Sequence, residues 1–138
     1  MLFSPYDGWC IFTLHDFVGH PSYITGVVED TFAAFIDYYE KGLGIVNYDE
    51  EGTEFLLILN NGRVHIIYTD EYDCSTFYDY PDTDINDLCD EFIKDIERET
   101  EAWIKFSPYT KPEYNNTKII NANLIYLKEL RKVAIEEI

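Results

Sequence analysis

Apolar residues recur along this chain with two different periods, and the points where the period changes mark the elements. Glu54 to Leu59 and Arg63 to Tyr68 read EFLLIL and RVHIIY, two β-rich runs joined through Asn60-Asn61-Gly62. Asn-Gly adopts the positive φ angles of a tight turn at little cost, so residues 54–68 predict a β-hairpin. Its arms are apolar nearly throughout, which points to a central pair covered by helix on at least one face. Gly44 to Asp49 before it and Ser75 to Tyr80 after it have the make-up of further meander strands, and Trp9 to Leu14 that of a first strand.

Elsewhere the period is helical. Val27, Val28, Thr31, Phe32, Phe35, Ile36 and Tyr39 form one stripe within 24–41, leaving Glu29, Asp30, Asp37 and Glu40 to water. Ser22 or Thr25 are candidate caps for that helix and Gly42 its stop. Ile85, Leu88, Cys89, Phe92, Ile96 and Trp103 make a second stripe over 84–106, with Asp82 or Thr83 as candidate caps and Ser107-Pro108 as its end. After a loop at 109–116, Ile120, Leu124, Leu127, Leu130, Val133, Ala134 and Ile138 line a third helix over 117–137, capped by Asn116. The expected fold is α+β: a small antiparallel sheet, built from the 54–68 meander and strand 9–14, packed against helices about 24–41, 84–106 and 117–137. All of it belongs to a single domain, 1–138.

Composition sharpens this picture. With 138 residues, 46% of them hydrophobic, the chain can bury about two-thirds of its unfolded surface. Its longest uninterrupted apolar runs, Phe55 to Leu59 and the equally long Phe32 to Ile36, fall far short of the ~20 residues of a membrane span, and the N-terminus lacks the basic start of a signal peptide. Three cysteines without CxxC spacing predict reduced thiols and a cytoplasmic protein.

Charge is the most informative compositional feature. Residues 29–101 carry 21 acidic side chains against Lys41, Arg63, Lys94 and Arg98, which equals the whole formal charge of −17. Such an excess disfavours nucleic acid and anionic membrane as direct partners and leaves basic proteins. Within that block YTDEYDCSTFYDY, from Tyr68 to Tyr80, interleaves rings and carboxylates. Tyrosine supplies rigid contact area and carboxylates steer a cationic partner, so Tyr68, Asp70, Glu71, Tyr72, Asp73, Tyr78, Asp79, Tyr80 and Asp82 are the candidate partner-binding residues. The alternative reading is a solvated loop whose tyrosines lie back on the core.

Other chemistry is weaker. His15, His20 and the cysteines lack the close pairing of a zinc site, and Cys10 and Cys89 fall on apolar stripes as core residues. Asp82-Thr83-Asp84-Ile85-Asn86 opens like a calcium loop, but the sixth and twelfth positions are Asp87 and Ile93 instead of Gly and Glu. Neither a metal nor a cofactor is expected. No nucleophile motif is present, and His15 or His20 beside Asp16 is the only catalytic fragment to consider.

In size, acidity and the Tyr-carboxylate segment 68–84, with further acid at Asp49-Glu50-Glu51, the chain resembles the small α+β immunity proteins that neutralise bacterial toxins, those of contact-dependent growth inhibition included. The resemblance implies a non-enzymatic role: stoichiometric binding that blocks the basic surface of a nuclease-like toxin. A phage-encoded nucleic-acid mimic (anti-restriction or anti-CRISPR) and a small enzyme with merely solubilising acid remain as alternatives.

Overall fold

The computed structural model describes residues 2–6, 9–22, 26–106 and 117–136. The element order is β1 (Phe3–Tyr6), β2 (Trp9–Leu14), β3 (Phe17–Gly19), α1 (Val27–Lys41), β4 (Leu43–Asp49), β5 (Glu54–Asn60), β6 (Arg63–Thr69), β7 (Ser75–Tyr80), α2 (Ile85–Arg98), α3 (Thr100–Ile104) and α4 (Thr117–Glu136). The fold is α+β, as the hydrophobic pattern predicts. Its strands, however, form two antiparallel sheets, β1-β2-β3 and β4-β5-β6-β7.

Strand 9–14 therefore does not join the meander. It pairs with β1 on one side and β3 on the other, through Phe3↔Phe12 and Leu14↔Phe17. Both partners escape sequence pattern for physical reasons. β1 contains Pro5, which an edge strand tolerates because its missing N–H faces outward; β3 has only three residues, too few for a period. The sheets meet through aromatic rings: Phe12 lies 5.1 Å from Phe55 and 5.8 Å from Tyr48, and Phe17 lies 5.0 Å from Phe55.

The hairpin is as expected, with Asn61 and Gly62 at φ 48° and 80° joining Asn60↔Arg63. Gly42 ends α1 at φ 85°, its N–H donating to the Tyr38 carbonyl. The start of α1 differs from expectation. Gly26 holds the N-cap position without a side-chain bond, while Ser22 is buried and its N–H donates to the Asp49 carbonyl at 2.8 Å. Ser22 thus ties the segment after β3 to β4. Thr25 and Asn116, the other proposed caps, and Ile138 of the third stripe lie outside the described residues. One face of the larger sheet receives α1 over β4, so closely that a Cβ on Gly44 would sit 1.9 Å from the Ala34 carbonyl oxygen.

The expected helix 84–106 is two helices. Asp84, rather than Asp82 or Thr83, caps α2, accepting from the N–H groups of Asn86 and Asp87. A break at Glu99 then starts α3. In a straight helix Phe92 and Trp103 would stand about 16 Å apart along the axis. Yet Phe3 lies 6.0 Å from the Phe92 ring and 6.1 Å from Trp103, which the break makes possible. Beneath this cluster Asp95 is only 1% exposed. Its Oδ2 accepts from the backbone N–H groups of Leu2 at 2.8 Å and Phe3 at 2.7 Å, and its Oδ1 from Arg98 Nη2 at 2.8 Å. Finally, α4 lies along α1 and α2, held by Tyr126 to Glu40 and by Nε and Nη2 of Arg131 on Asp90. No described helix is long and apolar enough to cross a membrane.

Candidate interaction surface

Alternation along β4–β7 puts two different populations on the two faces of the larger sheet. Val46, Tyr48, Phe55, Leu57, Leu59, Val64 and Ile66 point inward and are buried. The opposite side chains line up in cross-strand rows: Asn47-Leu56-Ile67-Phe77, then Ile45-Ile58-His65-Asp79, then Leu43-Asn60-Arg63. No described helix or strand covers them. Phe77 is 60% exposed, Ile45 52% and Leu43 46%. Uncovered apolar side chains grouped in this way make the outer face a candidate interaction surface.

Acid frames this face. The row at one end is Asp49-Glu54-Thr69-Ser75, and the β6–β7 turn adds Asp70, Glu71 and Asp73 beside it. Asp49, Glu54, Asp70 and Asp73 line one hollow of about 230 Å³, so two acidic segments about twenty residues apart form a single pole. The turn is built by Asp70, whose Oδ1 accepts from the N–H of Tyr72 at 2.9 Å and of Cys74 at 3.0 Å. Asp73 takes the left-handed conformation there, φ 61°. Tyr72 projects from it into solvent.

The candidate residues consequently separate into three places. Asp70, Glu71, Tyr72 and Asp73 sit together at the acidic pole. Asp79 stands within the outer face, its Oδ1 3.0 Å from His65 Nδ1, at ion-pair distance though not aligned as a hydrogen bond. Tyr68, Tyr78 and Tyr80 turn inward, as the solvated-loop alternative has it, because they occupy the other phase of the same strands. Tyr80 stacks on His15 at 5.4 Å, and burial, with the Asp16 charge, raises its phenol above the usual range. Asp82 lies beyond the far end of β7, about 17 Å of strand from the turn, among Asp84, Asp87 and Glu91 near the start of α2.

Pattern reading misses the outer-face residues Leu43, Ile45, Leu56, Ile58, Ile67 and Phe77. The available signal is the apolar filling of both phases of the hairpin, which reads equally well as helix cover. A cavity of about 560 Å³ on the inner side, where Asp16, Phe17, His20 and Glu50 meet Tyr68 and Tyr78, has no sequence signal. The cysteines are free, Cys10 and Cys89 in the core and Cys74 exposed. Among the described residues, no group of three or more His, Cys, Asp or Glu is placed to hold a metal ion. No protein-family model, curated protein or solved structure matches the chain.

Proposed function

We propose that this protein is a binding protein of the immunity type, capturing a basic protein partner on the outer face of β4–β7. One observation carries the reading: an exposed apolar sheet face whose end is closed by acid from two separate segments. A recognition surface needs a dehydrated centre to hold and a charged rim to steer. Here Ile45, Ile58, Ile67 and Phe77 supply the centre, and Asp49, Glu54, Asp70, Glu71 and Asp73 the rim. The partner that fits is a protein with a cationic surface around apolar side chains, as on a nucleic-acid-cleaving toxin. Docking there excludes the toxin's substrate without any chemistry by this chain, in a reducing cytoplasm that suits its free thiols. Nucleic-acid mimicry fits less well, since a phosphate-like array has no use for rows of isoleucine.

Co-expression with the toxin encoded beside its gene tests the reading: growth is rescued, and purified toxin binds one to one. Replacing Asp70, Glu71, Asp73 and Asp79 by their amides leaves the fold intact, because the amide that replaces the Asp70 carboxylate keeps the turn's acceptor oxygen. The association rate then falls about tenfold at low salt, an effect that high salt imitates. Phe77→Ser with Ile45→Thr raises the dissociation rate instead. Absence of rescue, together with specific recovery of a restriction or CRISPR effector from the host, would replace immunity by mimicry.

A further inference from the structure

The cavity between the β2–β3 turn and the inner face of β6–β7 has a character of its own. Three rings wall it. Phe17 meets Tyr78 at 5.5 Å and Tyr68 at 6.4 Å, both edge to face. Two carboxylates from distant segments, Asp16 and Glu50, reach the same space, and among the described residues no lysine or arginine lines it. Glu50 is fixed: its Oε2 accepts the His20 N–H at 2.6 Å and its Oε1 the Thr53 hydroxyl at 2.9 Å. Each of its oxygens keeps a lone pair for a further donor.

From this arrangement we infer that the cavity is a receptor for one alkylguanidinium group. A cation is drawn to the faces of aromatic rings and to the unbalanced carboxylates together, whereas an anion is repelled and a neutral apolar group strips water from Asp16 and Glu50 for no return. Guanidinium suits the site better than ammonium, because its planar fork meets a carboxylate with two parallel bonds while its face stacks on a ring. The volume lies within the ~300–1,000 Å³ of small-ligand sites and accepts the aliphatic stem as well. This also gives Tyr68 and Tyr78 a role that solvent exposure does not: they are the walls. Thr53 borders both this cavity and the hollow of the acidic pole, but the rings and carboxylates that wall the cavity are not those of the partner surface proposed above, so separate substitutions read the two. The group comes either from an arginine of a protein or from a free small guanidine.

Titration of the labelled full-length protein, followed by NMR, separates these sources. The probes are N-acetyl-arginine methylamide, agmatine and, as the neutral isostere, N-acetyl-citrulline methylamide. Saturable shifts are expected at Phe17, Tyr68 and Tyr78, with a dissociation constant in the millimolar range and at least about tenfold weaker binding of the citrulline compound. Asp16→Asn and Glu50→Gln each weaken binding about two- to fivefold, more than the Asp70, Glu71 and Asp73 amides, which act on the cavity only through screened charge. Asp16 lies in an exposed turn, so its variant reads the site even where Glu50→Gln unfolds. Preference for the capped arginine assigns the site to a protein side chain, and preference for agmatine to a free ligand; both uphold the guanidinium chemistry. Equal binding of the citrulline compound, or shifts spread over the acidic pole and insensitive to Asp16→Asn, overturns it. Loss of partner capture with the cavity intact, or the reverse, tells the two proposals apart.

Discussion

Asp95 is counted among the acids that give the chain its charge, yet it acts as a structural tether between α2 and β1. Asp95→Ala removes an enclosed acceptor from two backbone N–H groups, those of Leu2 and Phe3. Leaving a buried donor unsatisfied costs about 1–3 kcal/mol, so two cost roughly 4. Arg98, its third partner, is 41% exposed and finds water instead, adding less than about 1 kcal/mol. The expected loss is therefore about 4 kcal/mol. Unfolding entropy of about 2.1 cal/mol/K per residue over 138 residues converts this to a drop in Tm of about 14 °C.

Thermal and urea unfolding followed by circular dichroism measure it, and hydrogen exchange shows β1 losing protection first. Asp95→Asn, which keeps one acceptor oxygen, is expected to lose about half as much. Arg98→Met provides the contrast, with a loss below about 1 kcal/mol. An Asp95→Ala protein within about 1 kcal/mol of the parent, or an Arg98 variant as damaged as the Asp95 variant, would refute the tether.

Gly44→Ala forces a methyl onto the Ala34 carbonyl, 1.9 Å away, and is expected to lower stability by about 1–3 kcal/mol in a urea titration, since α1 must lift from β4. A loss under about 0.5 kcal/mol would show that the helix has slack. Under native conditions a thiol reagent labels Cys74 at once and leaves Cys10 and Cys89 until the chain unfolds. Burial raises the Cys10 thiol as well and pushes that of Cys89 up from 9.0 to about 12. The folded chain thus keeps protons that the unfolded chain releases; their stabilisation is full below about pH 9 and declines as pH rises toward 12. Urea midpoints across that window check the sign, and a rising midpoint contradicts it.

Much of the architecture was legible because local and global preferences agree. The Asn61-Gly62 hairpin, the Gly42 stop and the α1 stripe all need only short-range chemistry, and the structure contains them. Where it departs from the pattern, the cause is tertiary. β3 exists because its neighbours pair with it, and Glu99 breaks the α2 stripe because Phe3 draws both Phe92 and Trp103 to itself. The candidate binding segment shows the same boundary. Residues 68–82 read as one mixed patch, but strand alternation sends Tyr68, Tyr78 and Tyr80 to one face and Phe77 and Asp79 to the other. Once both phases of β5 and β6 are apolar, sequence cannot tell a face covered by helix from a face left open. Only the placement of α1, on one side, decides.

An uncovered apolar face offers a second copy of the chain a place to associate, and charge opposes that association. Two copies meeting face to face with their poles at the same end would bring Asp49, Glu54, Asp70, Glu71 and Asp73 of each toward like charge, against a background of −17 per chain. The Debye length is about 10 Å at 0.1 M salt and about 3 Å at 1 M, so salt weakens that repulsion while leaving the apolar attraction in place. The protein should therefore self-associate as salt rises, and as pH falls toward its pI of about 4.2. Sedimentation velocity at low and high salt measures the first effect. The amides of Asp70, Glu71, Asp73 and Asp79 should reproduce it without salt, and adding Phe77→Ser and Ile45→Thr should abolish it. If the amide variant sediments like the parent at low salt, the acid rim is not what holds the copies apart. If the Phe77 and Ile45 changes leave association untouched, the outer face is not the surface that associates.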